Sequence, residues 1–347
     1  MQTKTWTKTK KRAVASLVTL GVLIVILALM NVLMFAGIIH AGIIDILKFV
    51  GINVIAAASL NMVTGMMGQL VLGHAGFMLV GAYAAAIFTS SVDWPLMASL
   101  PVGLVIAGVL AAVMGFAIGI PALRLRGDYL AIITLGFGEI IRVVANSLKF
   151  TGGAQGYHDF PTFGFRQHPT TLFNFIFVIA VFVVFFSYTF GTSRHGRAVI
   201  SIREDEIAAE SSGVNTTYYK LVAFTLSAFF AGIAGGLLAQ QIGIIDPSKY
   251  GFDRSVEILM MVVLGGMGSI TGSVVSAGVL TTLPELLRGF ASYRMLLYSI
   301  LLVCVMLFRP KGLFGRAEIR VIQPFERMRA KRKAKKAAQQ GTGGGAS

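Results

Sequence analysis

Few residues of this 347-residue chain have the type and spacing that chemistry requires. The five histidines are scattered, with no two of them four residues apart, and the single cysteine stands alone, so no metal-ligand pattern is present. Neither the Gly-Lys pair of a phosphate-binding loop nor the Gly-x-Ser-x-Gly turn of a hydrolase occurs. We therefore expect no catalytic centre, no metal site and no nucleotide or cofactor site on this chain.

One pair of opposite charges lies inside an apolar stretch. Glu139 and Arg142 are three residues apart in "LGFGEIIRVV", so they share a helical face and can pair. Because charge is costly in lipid, the pair must face protein or water. Two interpretations stay open: the pair fixes the position of its helix, or it lines a solute route.

Two further polar groups allow similar alternatives. Gln69 and His74, in a glycine-rich stretch, either line a solute route or bond to a backbone carbonyl that a helix break leaves free. Glu257 lies near the end of an apolar run, where it either extends to the membrane surface or pairs with Arg254 three residues earlier. Together with Glu139 they are too few for a proton relay.

The elements that must position these groups are membrane spans. Hydrophobic residues make up 55% of the chain and the mean hydropathy is +0.77. Ten windows approach the roughly 20 apolar residues that cross a bilayer. Five are clear and five are weaker: Ala13–Met30, Leu96–Ala122, Thr171–Phe190, Tyr219–Ile242 and Leu296–Phe308, then Ile46–Thr64, Gly73–Ser90, Tyr129–Leu148, Ser255–Ile270 and Ser273–Leu287. We predict an all-α polytopic membrane protein with about eight to ten transmembrane helices, some broken or re-entrant.

The net charge of +15 resides in the two ends of the chain. Residues 1–12 hold five basic residues, and residues 309–347 hold eleven against two acidic ones. The positive-inside rule places both ends in the cytoplasm, where anionic lipid headgroups attract them. Nucleic-acid binding is not expected, because no aromatic residues interleave the basic runs. We divide the chain into a basic tail (1–12), a transmembrane permease domain (13–309) and a second basic, partly disordered tail (310–347).

Two stretches are dense in glycine, serine and alanine: Thr64–Tyr83 and Leu264–Gly278. Small residues at this density allow helix backbones to approach closely, and they also mark interrupted helices along a substrate path. The two stretches share a short glycine pattern, so either an internal duplication or close packing alone explains them.

A compact charged segment interrupts the apolar chain. Residues Arg203–Gly213, "REDEIAAESSG", have the composition of a short amphipathic helix, with acids in its first turn and Gly213 as its terminator. A solvated loop would not need this pattern. We predict a protruding cytoplasmic helix, within a loop spanning residues 191–218, that docks onto another protein.

This segment resembles the coupling loop of ABC-importer permeases, whose motif reads E-A-A-x-x-x-G. Ala208, Ala209 and Gly213 match the motif, whereas Ile207 replaces its glutamate and Glu206 lies one residue earlier. From about residue 51 to residue 315, the chain resembles the LivM-type permease subunit of branched-chain amino-acid importers. The stretches that carry this resemblance are "LNMVTGMMGQLVLGHAGFMLVGAYAAA", "LRLRGDYLAIITLGFGEIIR", "TGGAQG", "GRAVISIREDEIAAESSGVN" and "FRPKGLFG".

The resemblance implies a function and a set of partners. Such permeases pair with a homologous LivH-type subunit, bind two cytoplasmic ATPases that hold ATP and Mg²⁺, and receive substrate from an extracytoplasmic binding protein. They lie in the bacterial inner membrane and import leucine, isoleucine, valine or related small amino acids. The implied coupling residues are Arg203, Glu204, Asp205, Glu206, Ala208, Ala209 and Gly213. The implied lining of the route, at the interface of the two permeases, is Gly65, Gly68, Gln69, Gly73, His74 and Glu139.

Two other classes of function stay open. An ATP-independent secondary transporter or channel would need several intramembrane acids or histidines for ion coupling, and Glu139 alone meets that need well. A membrane-embedded enzyme would need a nucleophile with its base, or a metal constellation.

Overall fold

A computed structural model describes residues 31, 41–125, 127–163 and 169–287, together with residues 299, 300, 303, 307, 312 and 315. All of them except residue 31 belong to one compact unit, Ala36–Ala317. Within these residues the secondary structure is helical, apart from one antiparallel bridge between Tyr157 and Ile245. The predicted all-α class is confirmed. The predicted span Ala13–Met30, most of Leu296–Phe308, the first basic tail and all of the second except residues 312 and 315 lie outside the described residues.

The described residues contain ten α-helices, which we number in chain order. They are α1 (Ala41–Asn61), α2 (His74–Ser91), α3 (Leu96–Ala122), α4 (Asp128–Ser147), α5 (Pro169–Thr192), α6 (Arg194–Glu204), α7 (Glu206–Ser211), α8 (Thr216–Ile242), α9 (Phe252–Gly265) and α10 (Ile270–Leu286). A π-helical segment, Met62–Met67, extends α1. Short 3₁₀ turns occupy Lys149–Thr151, Gly153–Gln155 and Pro247–Tyr250.

Five of these helices are long and apolar enough to cross a membrane: α1 with its π-helical extension, α3, α4, α5 and α8. Helices α9 and α10 have 14 and 17 residues. At 1.5 Å per residue, α9 extends about 21 Å, which is less than the ~30 Å thickness of the hydrocarbon core. The prediction of broken helices is therefore confirmed, and the total number of spans remains a prediction.

Helix α8 forms the centre of the bundle, where it packs against α1, α2 and α3. Small residues make this contact possible. A Cβ atom on Gly232 would lie 2.6 Å from the carbonyl oxygen of Ala107 in α3, and one on Gly235 would overlap the backbone of Met78 in α2. Without a driving force between apolar helices in lipid, such close approach supplies the dispersion contacts that hold the bundle together. Helix α1 packs in turn against α5 and α10.

Local signals explain where the central helices begin and end. The Asn215 side chain caps α8 by accepting a hydrogen bond from the Tyr218 N–H at 3.1 Å, and Ser269 caps α10 in the same way through the Gly272 N–H. Helix α8 ends at Gly243, whose φ of +81° suits a residue without a Cβ atom. The polar segment between α5 and α8 therefore joins two well-defined membrane helices.

Candidate functional site

The predicted charged segment is divided between two helices. Asp205 is extended (φ −157°, ψ 110°), and its carboxylate accepts hydrogen bonds from the Ile207 N–H at 2.9 Å and the Ala208 N–H at 3.0 Å. The prediction of one helix over Arg203–Gly213 is therefore wrong. Arg203 and Glu204 end α6, and α7 begins at Glu206, because aspartate stabilises a helix most strongly from the capping position.

The end of α7 agrees with the sequence. Gly213 has a φ of +83°, and its N–H donates to the Glu210 carbonyl at 2.9 Å. The next N–H, of Val214, donates to the Ala209 carbonyl at 3.1 Å. This pair of hydrogen bonds is a Schellman motif, which needs a left-handed residue and therefore favours glycine. The prediction that Gly213 terminates the helix is confirmed.

An ion pair fastens α7 to the long central helix. The Lys220 Nζ atom in the first turns of α8 lies 2.8 Å from Glu206 Oε1, and the two side chains are 4% and 20% exposed. Ala209 is buried on the same side of α7. Sequence reasoning missed Lys220, although a lone lysine at the start of an otherwise apolar span was a usable signal. The ion pair therefore joins the charged segment directly to α8.

The other side of α7 is open. Ile207 is 71% exposed, which is unusual for an isoleucine, and Ala208, Glu210 and Ser211 are exposed beside it. We call these four residues the docking surface. It offers one apolar side chain with small and polar neighbours on a short helix whose two ends are both capped.

Arg203 points into the protein instead. Its Nη1 atom donates a hydrogen bond to the Gly65 carbonyl oxygen at 2.6 Å, and its Nη2 atom donates to Glu204 Oε1 at 2.8 Å. Its side chain is 19% exposed. Among the predicted coupling residues, Arg203 is thus the one that reaches the predicted route residues, 138 positions earlier in the chain.

The place that Arg203 reaches is a close approach of glycine backbones. The Gly268 N–H donates to Asn61 Oδ1 at 2.9 Å, and a Cβ atom on Gly65 would overlap both Asn61 Oδ1 and the Gly268 nitrogen. A Cβ atom on Gly68 would overlap the Cγ atom of Arg203, and one on Gly268 would lie 2.9 Å from Arg203 Nη1. Any side chain in place of these glycines would therefore force the neighbours apart.

Gly315 also lies at this close approach of glycine backbones. A Cβ atom on Gly266 would lie 3.0 Å from the backbone nitrogen of Gly315. We call Gly65, Gly68, Gly266 and Gly268 the glycine junction. The two glycine-rich stretches thus contact each other here, as the close-packing interpretation requires, between the end of α1 and the loop that joins α9 to α10.

The other predicted route residues lie nearby but differ in exposure. Gly68 is exposed and Gln69 is partly exposed, whereas Gly65, Gly73 and His74 are buried. A Cβ atom on Gly73 would overlap the Thr134 carbonyl oxygen of α4. Lining of a route by these residues stays a prediction, and Gly68 and Gln69 are the two that reach the surface of the chain.

His74 has a partner that the sequence did not indicate. Its Nε2 atom lies 3.0 Å from the Ser59 hydroxyl, and its side chain is 1% exposed. The Ser59 hydroxyl donates in turn to the Ala56 carbonyl at 2.8 Å. The His74 ring also bonds to the backbone of Ala56, so it does have a carbonyl partner, although that carbonyl lies within α1 and not at the helix break.

Glu139 and Arg142 form the predicted ion pair, with Arg142 Nε 2.7 Å from Glu139 Oε2. The two side chains are 34% and 30% exposed. A Cβ atom on Gly251, just before α9, would lie 3.4 Å from Glu139 Oε1. The glycine junction adjoins the opposite end of α9, about 21 Å away along that helix. The structure therefore separates Glu139 from the glycine junction but packs its neighbour Gly138 on Gly73, since a Cβ atom on Gly138 would lie 3.0 Å from the Gly73 Cα atom.

Sequence reasoning also missed buried charges in α1. Lys48 is 2% exposed, and its Nζ atom lies 3.0 Å from Asp45 Oδ1, which also accepts a hydrogen bond from Gln241 of α8 at 3.2 Å. The spacing of three residues at the start of an apolar helix was the available signal. The pair connects α1 to α8 and holds its charges inside the protein.

The predicted pairing of Glu257 with Arg254 is confirmed. Arg254 Nη1 lies 2.6 Å from Glu257 Oε2, and Arg254 Nη2 donates to Asn53 Oδ1 at 2.6 Å. Asn53 Nδ2 then donates to the Thr281 hydroxyl at 2.8 Å. These contacts join α9, α1 and α10, so this arginine is a structural connection between three helices.

No group of three or more His, Cys, Asp or Glu side chains in the described part of the chain is arranged to hold a metal ion. The buried ionic groups described above are paired within the protein. The site therefore combines a short surface helix, capped at both ends and held by an ion pair, with the glycine junction.

Comparison with known proteins shows which family the chain resembles. The family model described as "Branched-chain amino acid transport system / permease component" matches residues 42–308. The high-affinity branched-chain amino acid transport system permease protein LivM of Escherichia coli (strain K12) is 39% identical over 301 residues, which cover 78% of this chain and 70% of LivM.

More distant relatives carry the same description. The permease protein LivH of Escherichia coli (strain K12) is 28% identical over 288 residues, covering 76% of this chain and 91% of LivH. The permease protein BraD of Pseudomonas aeruginosa is 28% identical over 291 residues, covering 76% of this chain and 91% of BraD. The chain therefore belongs to the family of branched-chain amino acid transport permeases, in which it is of the LivM type.

Proposed function

We propose that this chain is one of two permease subunits of an ATP-driven importer of branched-chain amino acids. Both LivM and LivH of Escherichia coli, to which the chain is similar, are named as permease proteins of a high-affinity branched-chain amino acid transport system. Leucine, isoleucine, valine and related small amino acids are the proposed substrates. The proposed location is a bacterial inner membrane, with both chain ends in the cytoplasm, as the basic tails favour.

The energy would come from partner proteins. Two cytoplasmic ATPase subunits would hold ATP and Mg²⁺, a homologous LivH-type permease would complete the route, and an extracytoplasmic binding protein would deliver the substrate. This assignment agrees with a sequence that has no phosphate-binding loop. The lipid bilayer surrounds the chain, and no nucleic acid is involved.

The observation that carries the proposal is the docking surface on α7. Short helices that nothing supports are unstable in water. Helix α7 has an aspartate cap at its start, a Schellman motif at its end and an ion pair to Lys220 of the membrane helix α8. A helix secured in this way can transfer a push from a docked ATPase to the membrane part of the protein without unfolding.

The docking surface can be tested with one substitution and a matched control. We expect Ile207→Asp to remove the apolar contact and to add a charge to the interface, lowering retention of the ATPase subunits at least about tenfold in the purified complex. The control, Ile244→Asp, alters an isoleucine that is 48% exposed beyond the other end of α8, and it should keep the ATPases. Retention is measured by mass spectrometry of the complex purified in mild detergent.

Transport by the same complex tests the alternative function. In proteoliposomes with ATP on the docking-surface side and liganded binding protein on the other, the wild-type complex should accumulate radiolabelled leucine, and Ile207→Asp should not. A chain that purifies without ATPases and accumulates leucine on a proton or sodium gradient would contradict the proposal and favour a secondary transporter.

A further inference from the structure

We propose that Arg203 transmits movement of the docking surface to the glycine junction, as a positioning residue inside the permease and not as a contact to the ATPase. The inference rests on the proposed function. It assigns a separate task to one residue of the segment. Helix α7 receives the push, and Arg203, two residues before the capping Asp205, passes it to α1 and to the α9–α10 loop.

The position of Arg203 in the chain links it to α7. It lies in the last turn of α6, one residue before Glu204 and two before the capping Asp205. The other end of α6 is capped by Ser193, whose hydroxyl accepts a hydrogen bond from the Gly196 N–H at 3.0 Å. Because α6 and α7 share the rigid cap at Asp205, a displacement of α7 carries the Arg203 backbone with it.

The chemistry of the contact between Arg203 and Gly65 favours a strong interaction. The carbonyl of Gly65 lies near the end of the helix formed by α1 and its π-helical extension, where terminal carbonyls lack partners within the helix and the helix dipole is negative. The Arg203 guanidinium donates to this carbonyl at 2.6 Å. A cation at this position neutralises the end of the helix and forms a charge-assisted hydrogen bond.

The same side chain also separates two backbones. Cγ of Arg203 lies against Gly68, and its Nη1 lies against Gly268. The Arg203 side chain therefore touches both sides of the glycine junction, namely Gly68 at the end of α1 and Gly268 in the α9–α10 loop. Withdrawal or rotation of Arg203 would change the spacing of both, and the glycines offer no side chains that would resist sliding.

Polar atoms around the contact offer Arg203 an alternative partner. Arg203 Nε, Asn61 Nδ2 and Thr64 Oγ1 are buried without a hydrogen-bond partner among the described residues. Buried polar groups are nearly always hydrogen-bonded in folded proteins. A shift of the guanidinium along the end of α1 would let Arg203 Nε donate to Thr64 Oγ1, as expected of a contact that is remade in each transport cycle.

The central experiment replaces the guanidinium and measures coupling. In proteoliposomes containing the full complex, we compare the number of leucine molecules imported per ATP hydrolysed for wild type, Arg203→Met and Arg203→Lys. We expect Arg203→Met to keep the ATPase subunits and ATP hydrolysis but to lower the ratio at least about tenfold. Arg203→Lys, which can still donate to Gly65, should restore part of the ratio. A purely structural role would lower the yield of complex and leave the ratio unchanged.

Two glycine substitutions test the same contact without altering Arg203. Gly68→Ala and Gly243→Ala both place alanine at a positive φ, +74° and +81°. The added methyl group meets Arg203 at residue 68 and nothing within 4 Å at residue 243. Because the backbone strain is matched, we expect a lower coupling ratio for Gly68→Ala alone. Arg194→Met, on the exposed start of α6, is the control for loss of a surface arginine.

The outcomes separate this inference from the proposed function. An unchanged ratio in Arg203→Met, or equal ratios in Gly68→Ala and Gly243→Ala, would overturn the role of Arg203 while the importer stands. Loss of the ATPase subunits from Arg203→Met would make Arg203 a docking contact, which also overturns the inference. If the wild-type complex contains no ATPase at all, the proposed function itself fails.

Discussion

The docking surface and the glycine junction are held in place in opposite ways. Helix α7 is exposed and is fixed by side chains, namely the Asp205 cap and the Glu206–Lys220 ion pair. The glycine junction is fixed by backbones that touch where no side chain fits, as between Gly65 and Gly268. The difference shows that a polar surface element tolerates substitutions that keep its hydrogen bonds, whereas the junction tolerates almost no added atom.

The largest expected effect comes from filling the junction. Gly65→Ala adds a methyl group that overlaps the backbone nitrogen of Gly268, and backbone cannot move aside as a flexible side chain can. We expect destabilisation above about 3 kcal/mol, at the upper end of the range for overpacked interiors. The measure is the monodisperse fraction in size-exclusion chromatography and the melting temperature in detergent.

The control for this substitution is Gly136→Ala in α4. Its added methyl group would meet nothing within 4 Å, so helix propensity alone acts and favours alanine by up to about 1 kcal/mol. A melting temperature for Gly65→Ala equal to that of Gly136→Ala would show that the junction is not tightly packed.

The next largest effect concerns the ion pair that secures α7. Glu206→Gln leaves the ammonium group of Lys220 buried without its counter-charge, which we expect to cost about 2–3 kcal/mol, below the cost for fully buried pairs because Glu206 is 20% exposed. Leucine uptake should fall in parallel. The double variant Glu206→Gln with Lys220→Met removes both charges and should recover most of the stability. Failure of that recovery would show that Glu206 acts by another contact.

A smaller effect is expected at the helix start. Asp205→Ala removes both capping hydrogen bonds of α7 and should cost about 1–2 kcal/mol, whereas Asp205→Ser keeps a capping oxygen and should cost less. Limited proteolysis within residues 205–213 measures the local opening directly. Equal cleavage of both variants would indicate that the ion pair, and not the cap, orders this segment.

The smallest effect is expected at Glu139. Its ion pair with Arg142 is about one-third exposed, and pairs of this kind contribute no more than about 1 kcal/mol. Glu139→Gln should therefore leave the melting temperature nearly unchanged. If the pair lines the route, which is the second of its two interpretations, the KM for leucine uptake should rise, by no more than about fivefold. An unchanged KM would restrict the pair to fixing the position of α4.

Much of this arrangement could be predicted because it is encoded locally. The Glu139–Arg142 and Arg254–Glu257 pairs each lie three residues apart, so helical geometry alone brings them together. Gly213 ends its helix because only its own backbone must adopt the left-handed conformation. The break at Asp205 was missed because each of three consecutive acidic residues is a suitable start for a helix. The helix begins after the one whose side chain reaches the free N–H groups.

By itself, the sequence determined the all-α membrane class, the long apolar helices, the absence of a phosphate-binding motif and the charged segment between two spans. These properties depend on composition and on residues within one or two helical turns. Only the tertiary structure decided which groups meet across the chain. Arg203 and Gly65 are 138 positions apart, and Gly65 meets Gly268 at the junction of two separate helix breaks. No local preference specifies such contacts, because close packing of whole helices sets them. A glycine in the sequence indicates that a backbone can approach closely, but it does not indicate which residue approaches.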